Sequence, residues 1–178
     1  GHDVVVYVPD AVVPAEYEFI RPARLVTSIP DDVEERILVC VDCGNASRVK
    51  NDELLARAAR VFNIDHHGDN THFGELNHVR ATASCAAQLV HELAVHLGVT
   101  VDRDIATAVY VGLVTDTGRF QYSNTTPESF ELAATHLRWL APEDETHVKA
   151  AGHFEEISNG AKALLFKVAR MVGGNKRK

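Results

Sequence analysis

The chain has 178 residues, 46% of them hydrophobic, which is the size and apolar content of one globular domain with a real core. Its 18 Lys+Arg against 25 Asp+Glu give a net charge of −7, and an acidic balance argues against holding nucleic acid by phosphate neutralisation alone. Only a site with its own positive charge, such as a bound metal, would reverse that locally. No apolar run approaches the ~18–20 residues of a membrane span and no signal peptide opens the chain, so no membrane contact is expected. Cys40, Cys43 and Cys85 cannot all pair, which points to a reducing, cytoplasmic compartment. His is the outlier, with ten residues, two of them adjacent.

Val4–Val8 is a short apolar run ending at Pro9-Asp10 and reads as a buried strand. Ile37–Val41 is a second such run and Val61–Ile64 a third. Between them, Asp52–Arg60 is rich in helix formers, with Asn51 or Asp52 as its cap. Strand, helix, strand at this spacing is a parallel crossover unit, and the expected fold class is α/β: a Rossmann-like, doubly wound, mainly parallel sheet flanked by helices. From Ser84 the pattern turns helical. One helix runs from a Ser84 cap towards Leu97 and stops at Gly98. Asp102 caps another over Ile105 to about Val114, and Pro127 opens a third at the first helical turn. A last helix is expected over Glu155–Met171, before Gly173-Gly174 and a basic tail that reads as a solvated terminus or an expression scar.

The strands end in acid: Asp42 follows Val41, and Asp65-His66-His67 follows Ile64. In a parallel α/β sheet, ligands sit outside the carboxyl ends of the strands, so these residues share one rim. Asp116 closes the apolar stretch Ala108–Val114 and is the third acid at the end of a buried element. An isolated Asp after a strand is most often a turn or cap residue. Here all three positions obey one geometric rule. Carboxylates converging with an imidazole suit Mn²⁺ or Mg²⁺, whereas a closed zinc site more often recruits thiolates. Neighbours in extended chain point to opposite sides, so His66 and His67 are expected to differ in role, one as a ligand and one facing substrate. Cys40 and Cys43 form a C-x-x-C, but with Cys40 inside a β run they read as core thiols. His72, His78, His91, His96, His136, His147 and His153 lack such a constellation and read as surface or capping residues.

Val41-Asp42-Cys43-Gly44-Asn45-Ala46-Ser47-Arg48, Asn63-Ile64-Asp65-His66-His67 and Gly112–Phe120 resemble motifs II, III and IV of the DHH phosphoesterases. The similarity is to the branch of bifunctional oligoribonucleases and 3′-phosphoadenosine 5′-phosphate phosphatases, and Asn77, Ala81–Ser84 and Tyr122–Pro127 also match it. The resemblance implies two Mn²⁺ ions (or Mg²⁺), bridged by Asp42, with His66 and Asp116 completing the shell of the second. It implies Asp65 as the partner that orients a neighbouring imidazole, His67 at the scissile phosphate, and Arg119 and Arg48 as phosphate contacts. The implied activity is two-metal activation of water to hydrolyse short oligoribonucleotides or 3′,5′-bisphosphonucleotides. Within the same fold, a cyclic-dinucleotide phosphodiesterase, a single-strand exonuclease and an inorganic pyrophosphatase are alternatives; outside it, a non-catalytic module that binds nucleotide or a partner chain.

The resemblance also predicts two departures. The family's motif I, an Asp-x-Asp loop after the first strand, has no counterpart, since the lone Asp3 precedes a β run; nor does its glycine-rich C-terminal domain. The expected organisation is a DHH-type domain over 1–152, incomplete at its N-terminus, a connecting helix over 153–172 and a basic tail over 173–178. A sheet lacking one strand would expose an edge and an apolar patch, which favours self-association, and a homodimer is implied by the branch.

Overall fold

The computed structural model describes residues 3–9, 15–20, 22 and 24–140. Two parallel sheets form in the N-terminal part. Val6–Tyr7 (β1) pairs with Leu25–Val26 (β2), and Ile37–Val41 (β3), Arg60–Asp65 (β4) and Leu76–Val79 (β5) lie in that order in the second. β3 and β4 register residue for residue from Ile37 opposite Arg60 to Val41 opposite Ile64. The β3–β4 connection contains Asp52–Arg57 (α1), capped by Asn51, whose side chain accepts a hydrogen bond from the Leu54 N–H and donates one to the Tyr7 hydroxyl. This is the parallel crossover expected from the sequence.

Two elements had no clear signal. β2 is two residues long, and β5 reads Leu-Asn-His-Val, too polar to stand out as a buried run. Both are fixed by pairing with a neighbour and not by propensity. The Val4–Val8 run narrows to the pair Val6–Tyr7, which sit in register with Leu25 and Val26 of β2, and Val8 N–H donates to the Val26 carbonyl just beyond it.

Val33, Cys40, Val49 and Leu54 form one buried cluster, joined by Leu38, Val61 and Phe73; Ile64, Ala83 and Leu89 form another. The outer strand β3 shows alternation, with Ile37, Val39 and Val41 exposed and Cys40 buried.

The chain divides between Val90 and His91 into two compact units. Ala86–His96 (α2) crosses that division, and Gly98 follows it in a left-handed turn. The second unit contains Arg103–Asp116 (α3), capped by the Asp102 carboxylate on the Ile105 N–H, and Pro127–Leu140 (α4). Ala106, Val109, Tyr110 and Leu113 of α3 and Ala133 and His136 of α4 are buried. The helix expected over 155–171, the domain boundaries at 152 and 172, and His147 and His153 lie outside the described residues. Among the described residues, no helix is long and apolar enough to cross a membrane.

Candidate metal centre

Parallel strands deliver their last residues to one rim, and the hydrogen bond from Asp42 N–H to the Ile64 carbonyl ties the ends of β3 and β4 together at 3.0 Å. Asp42 then leaves the strand in the left-handed region at φ 63, which Asp tolerates better than most side chains. Asp65 ends β4 and is wholly buried, while His66 and His67 step off it into the loop. Ligand atoms of Asp42, His66 and His67 all lie within 4.8 Å of one another.

The hydrogen bonds assign the ring nitrogens. A carbonyl can only accept, so the Ala83 carbonyl at 3.3 Å places the proton of neutral His66 on Nδ1. Its Nε2 then faces Asp42 Oδ1 at 3.4 Å, an acceptor against an acceptor. A cation between them turns that opposition into attraction, so this donor set fits a divalent ion. His67 donates from Nδ1 to Asp65 Oδ1 at 2.7 Å, which leaves Nε2 as its acceptor. Burial works to raise the Asp65 pKa. Hydrogen bonds from His67, Asn70 and the His66 backbone outweigh it and hold the carboxyl below its ordinary value.

The expectation that the two imidazoles point to opposite sides does not survive. Their centroids are 4.9 Å apart, and His67 Nδ1 is 3.9 Å from the same Asp42 Oδ1 that faces His66. The physical reason is that β4 ends at Asp65, so the pair is not held in extended chain.

Arg48 lies on the short 3₁₀ turn Ala46–Val49. A Cβ added to Gly44 would meet His67 Cβ at 3.4 Å and Arg48 Nε at 3.8 Å, so the bare glycine lets both side chains approach one point of backbone. Asn70, which sequence reasoning did not single out, donates through its amide to Asp65 Oδ2 and to the Cys43 carbonyl. The available signal was an Asn five residues beyond Asp65, in a loop that must satisfy a buried carboxylate. Asn77 holds the next turn, accepting from Gly74 N–H and donating to the Gly74 carbonyl.

Asp116 and Arg119 belong to the second unit. Asp116 ends α3, and its carbonyl accepts from the Asn124 amide at 3.1 Å. Gly118, Arg119 and Phe120 follow with φ 55, 60 and 64, three left-handed residues in succession. Buried Thr117 braces them, its Oγ1 donating to the Leu113 carbonyl and accepting from Phe120 N–H. Gly118 suits its left-handed φ, and a Cβ there would also displace the exposed Tyr122 ring. Phe120 stacks on Phe130 at 5.1 Å, and Arg119 is left exposed.

The cysteines are thiols outside any disulfide: Cys40 and Cys85 are buried and Cys43 is half-buried. Burial, with Cys43 second, pushes the Cys40 thiol up to about 11, and Cys43 shifts the same way, so neither has thiolate character at neutral pH. His136 corrects a reading as a surface residue. It is wholly buried against His91, and both its ring nitrogens lack hydrogen-bond partners among the described residues.

The family model described as "DHH family, N-terminal domain" matches residues 1–113. The chain belongs to the DHH family. Among curated DHH relatives, it is 40% identical over 124 residues to the bifunctional oligoribonuclease and PAP phosphatase NrnA of Thermus thermophilus, covering 70% of this chain and 36% of that protein. It is 30% identical over 106 residues to the NrnA of the same description from Bacillus subtilis, covering 58% and 33%. The chain thus spans about a third of the length of these relatives. A solved exopolyphosphatase-related protein from Bacteroides fragilis superposes with a TM-score of 0.66 at 22% identity, over 85% of this chain and 48% of that one, a likeness of fold.

Proposed function

We propose that this chain carries the metal centre of a phosphoesterase that hydrolyses short oligoribonucleotides and 3′,5′-bisphosphonucleotides. The observation that carries the reading is the Asp42 carboxylate set against His66 Nε2 at 3.4 Å, two acceptors that a cation would reconcile. The names of the NrnA relatives supply the substrate class. Asp42 and His66 would hold the ion, Mn²⁺ or Mg²⁺, with Asp116 joining them on the strength of its motif alone. A second ion is part of the same proposal. Divalent ions there would supply charge neutralisation at the phosphate and a water of lowered pKa.

The chain's own residues supply the rest. Asp65 fixes the His67 ring with its proton on Nδ1, so that Nε2 is offered to a phosphate oxygen or to the same ion. Arg48, beside His67 across Gly44, and Arg119 present planar forks that match two phosphate oxygens. Hydrolysis adds one water across one P–O ester bond: a diester of an oligoribonucleotide yields a nucleotide phosphomonoester and a hydroxyl, and a monoester of a bisphosphonucleotide yields inorganic phosphate and a hydroxyl. An acidic protein can thereby act on an anionic substrate, because its carboxylates hold cations and the cations hold phosphate. The cytoplasm, where thiols stay reduced, is the compartment that this reading implies.

The test is made on the gene product that carries this chain. Mn²⁺ should stimulate release of mononucleotides from a two- to five-residue RNA and of phosphate from a 3′,5′-bisphosphonucleotide, and Asp42→Ala should abolish both. Absence of Mn²⁺-stimulated release from either substrate would overturn the proposal.

A further inference from the structure

Asn70 connects the two loops from which the metal centre is built. A carboxamide has two N–H donors and one carbonyl acceptor, and here all are engaged. One donor reaches Asp65 Oδ2 and the other the Cys43 carbonyl at 3.2 Å, next to Asp42. The carbonyl oxygen accepts from His72 N–H at 2.7 Å. Its backbone joins in, since Asn70 N–H donates to the His67 carbonyl at 3.2 Å and Thr71 N–H to the Gly44 carbonyl at 2.9 Å. The loop after β4 is therefore stitched both to itself and to the loop after β3.

We infer that Asn70 is a positioning residue that fixes the His67 ring by holding the far oxygen of Asp65, and that ties this loop to the Asp42 loop through the Cys43 carbonyl. The inference rests on the reading of Asp42, His66 and His67 as a metal centre. With Oδ1 bonded to His67 and Oδ2 to Asn70, the Asp65 carboxylate has no freedom to turn about its last side-chain bond. Its plane stays aimed at His67 Nδ1, which selects one tautomer of that ring. Removing the amide leaves a buried carboxylate oxygen without its donor, a costly state that the side chain escapes by rotating away from His67. Asn70→Asp keeps the shape but offers acceptors only, so it sets a second carboxylate against Asp65. A residue that merely filled space would tolerate that exchange.

The measurement is the tautomer of His67 in the metal-free chain, read by long-range ¹H–¹⁵N spectra of ¹⁵N-histidine protein above the ordinary imidazole range, with His67→Ala used for assignment. The unmodified chain should show His67 with its proton on Nδ1. Asn70→Ala and Asn70→Asp should both give a mixture of tautomers and bind Mn²⁺ about tenfold more weakly, the scale of an outer partner of a metal ligand. Circular dichroism establishes which variants are folded, and Asn70→Leu, which keeps the bulk and removes the donor, replaces Asn70→Ala if that variant is not. An unchanged His67 tautomer in folded variants would overturn the inference. The readout uses no substrate. A gene product without hydrolytic activity whose His67 responds to Asn70 leaves the inference standing, and an active one whose His67 ignores Asn70 overturns it.

Discussion

Among the described residues, two pairs of histidine rings sit in contact, and they differ in what surrounds them. His66 and His67, with centroids 4.9 Å apart, each have Nδ1 committed to an oxygen, the Ala83 carbonyl and the Asp65 carboxylate. His91 and His136, 4.6 Å apart and edge to face, pack between α2 and α4, with neither nitrogen of His136 hydrogen-bonded among the described residues. The first pair is oriented, with an acceptor nitrogen left over on His67. The second is held in the neutral form: burial, and then the charge of His91, push the His136 pKa down to about 4. Proximity and burial alone do not make imidazoles a site. The oxygen atoms placed against their nitrogens do.

That contrast can be broken most severely at Asp42. Asp42→Asn should weaken Mn²⁺ binding by more than the ~100-fold that losing an outer partner causes, as read by electron paramagnetic resonance titration, because it removes the anionic ligand itself. Asp65→Asn should cost between about 10-fold and 100-fold in the same titration, since it touches only the partner of His67. Equal losses in the two variants would show that the buried carboxylate is itself bound to the ion.

At the other pair the expected effect is on stability. The His136 pKa is depressed in the folded state relative to the ordinary imidazole value of 6.5. The unfolded chain therefore binds the proton first, and the contribution is fully present above pH 6.5 and lost as pH falls towards 4. His136→Leu should remove that loss, about 2–3 kcal/mol across the window, and gain about 1 kcal/mol at neutral pH by replacing an unsatisfied polar ring. Urea midpoints measured against pH decide it, and a variant as acid-sensitive as the parent contradicts the assignment. Smallest of all, Asn51→Ala should cost about 1 kcal/mol through loss of the α1 cap while leaving Mn²⁺ affinity unchanged, so that destabilisation and loss of the site can be told apart.

The elements legible in the sequence were those with a strong local signal. Ile37–Val41 is an uninterrupted apolar run and appears with those bounds; Asp102 caps α3 and Pro127 opens α4. β5 was not legible, because Asn77 and His78 break its apolar character and its strand conformation comes from pairing with β4. Within the site, Asp42, Asp65, His66 and His67 stood out because each follows a strand that could be read. Asn70 did not, since an Asn in a polar loop resembles any turn residue until the carboxylate it serves is known to be buried. The same blindness hid His136, whose position on the inner face of α4 depends on packing against α2.

By itself, the sequence determined the parallel α/β pattern, the acids that follow the Ile37–Val41 and Val61–Ile64 runs, the family motifs and the acidic net charge. These follow from residue type, order and spacing, which are local properties of the chain. Only the tertiary structure decided which nitrogen of His66 and of His67 faces an oxygen acceptor, that both rings turn towards Asp42, and that one amide joins the two loops. Those outcomes depend on which oxygen atoms the fold brings within about 3 Å, a distance at which hydrogen bonding selects one ring orientation over another.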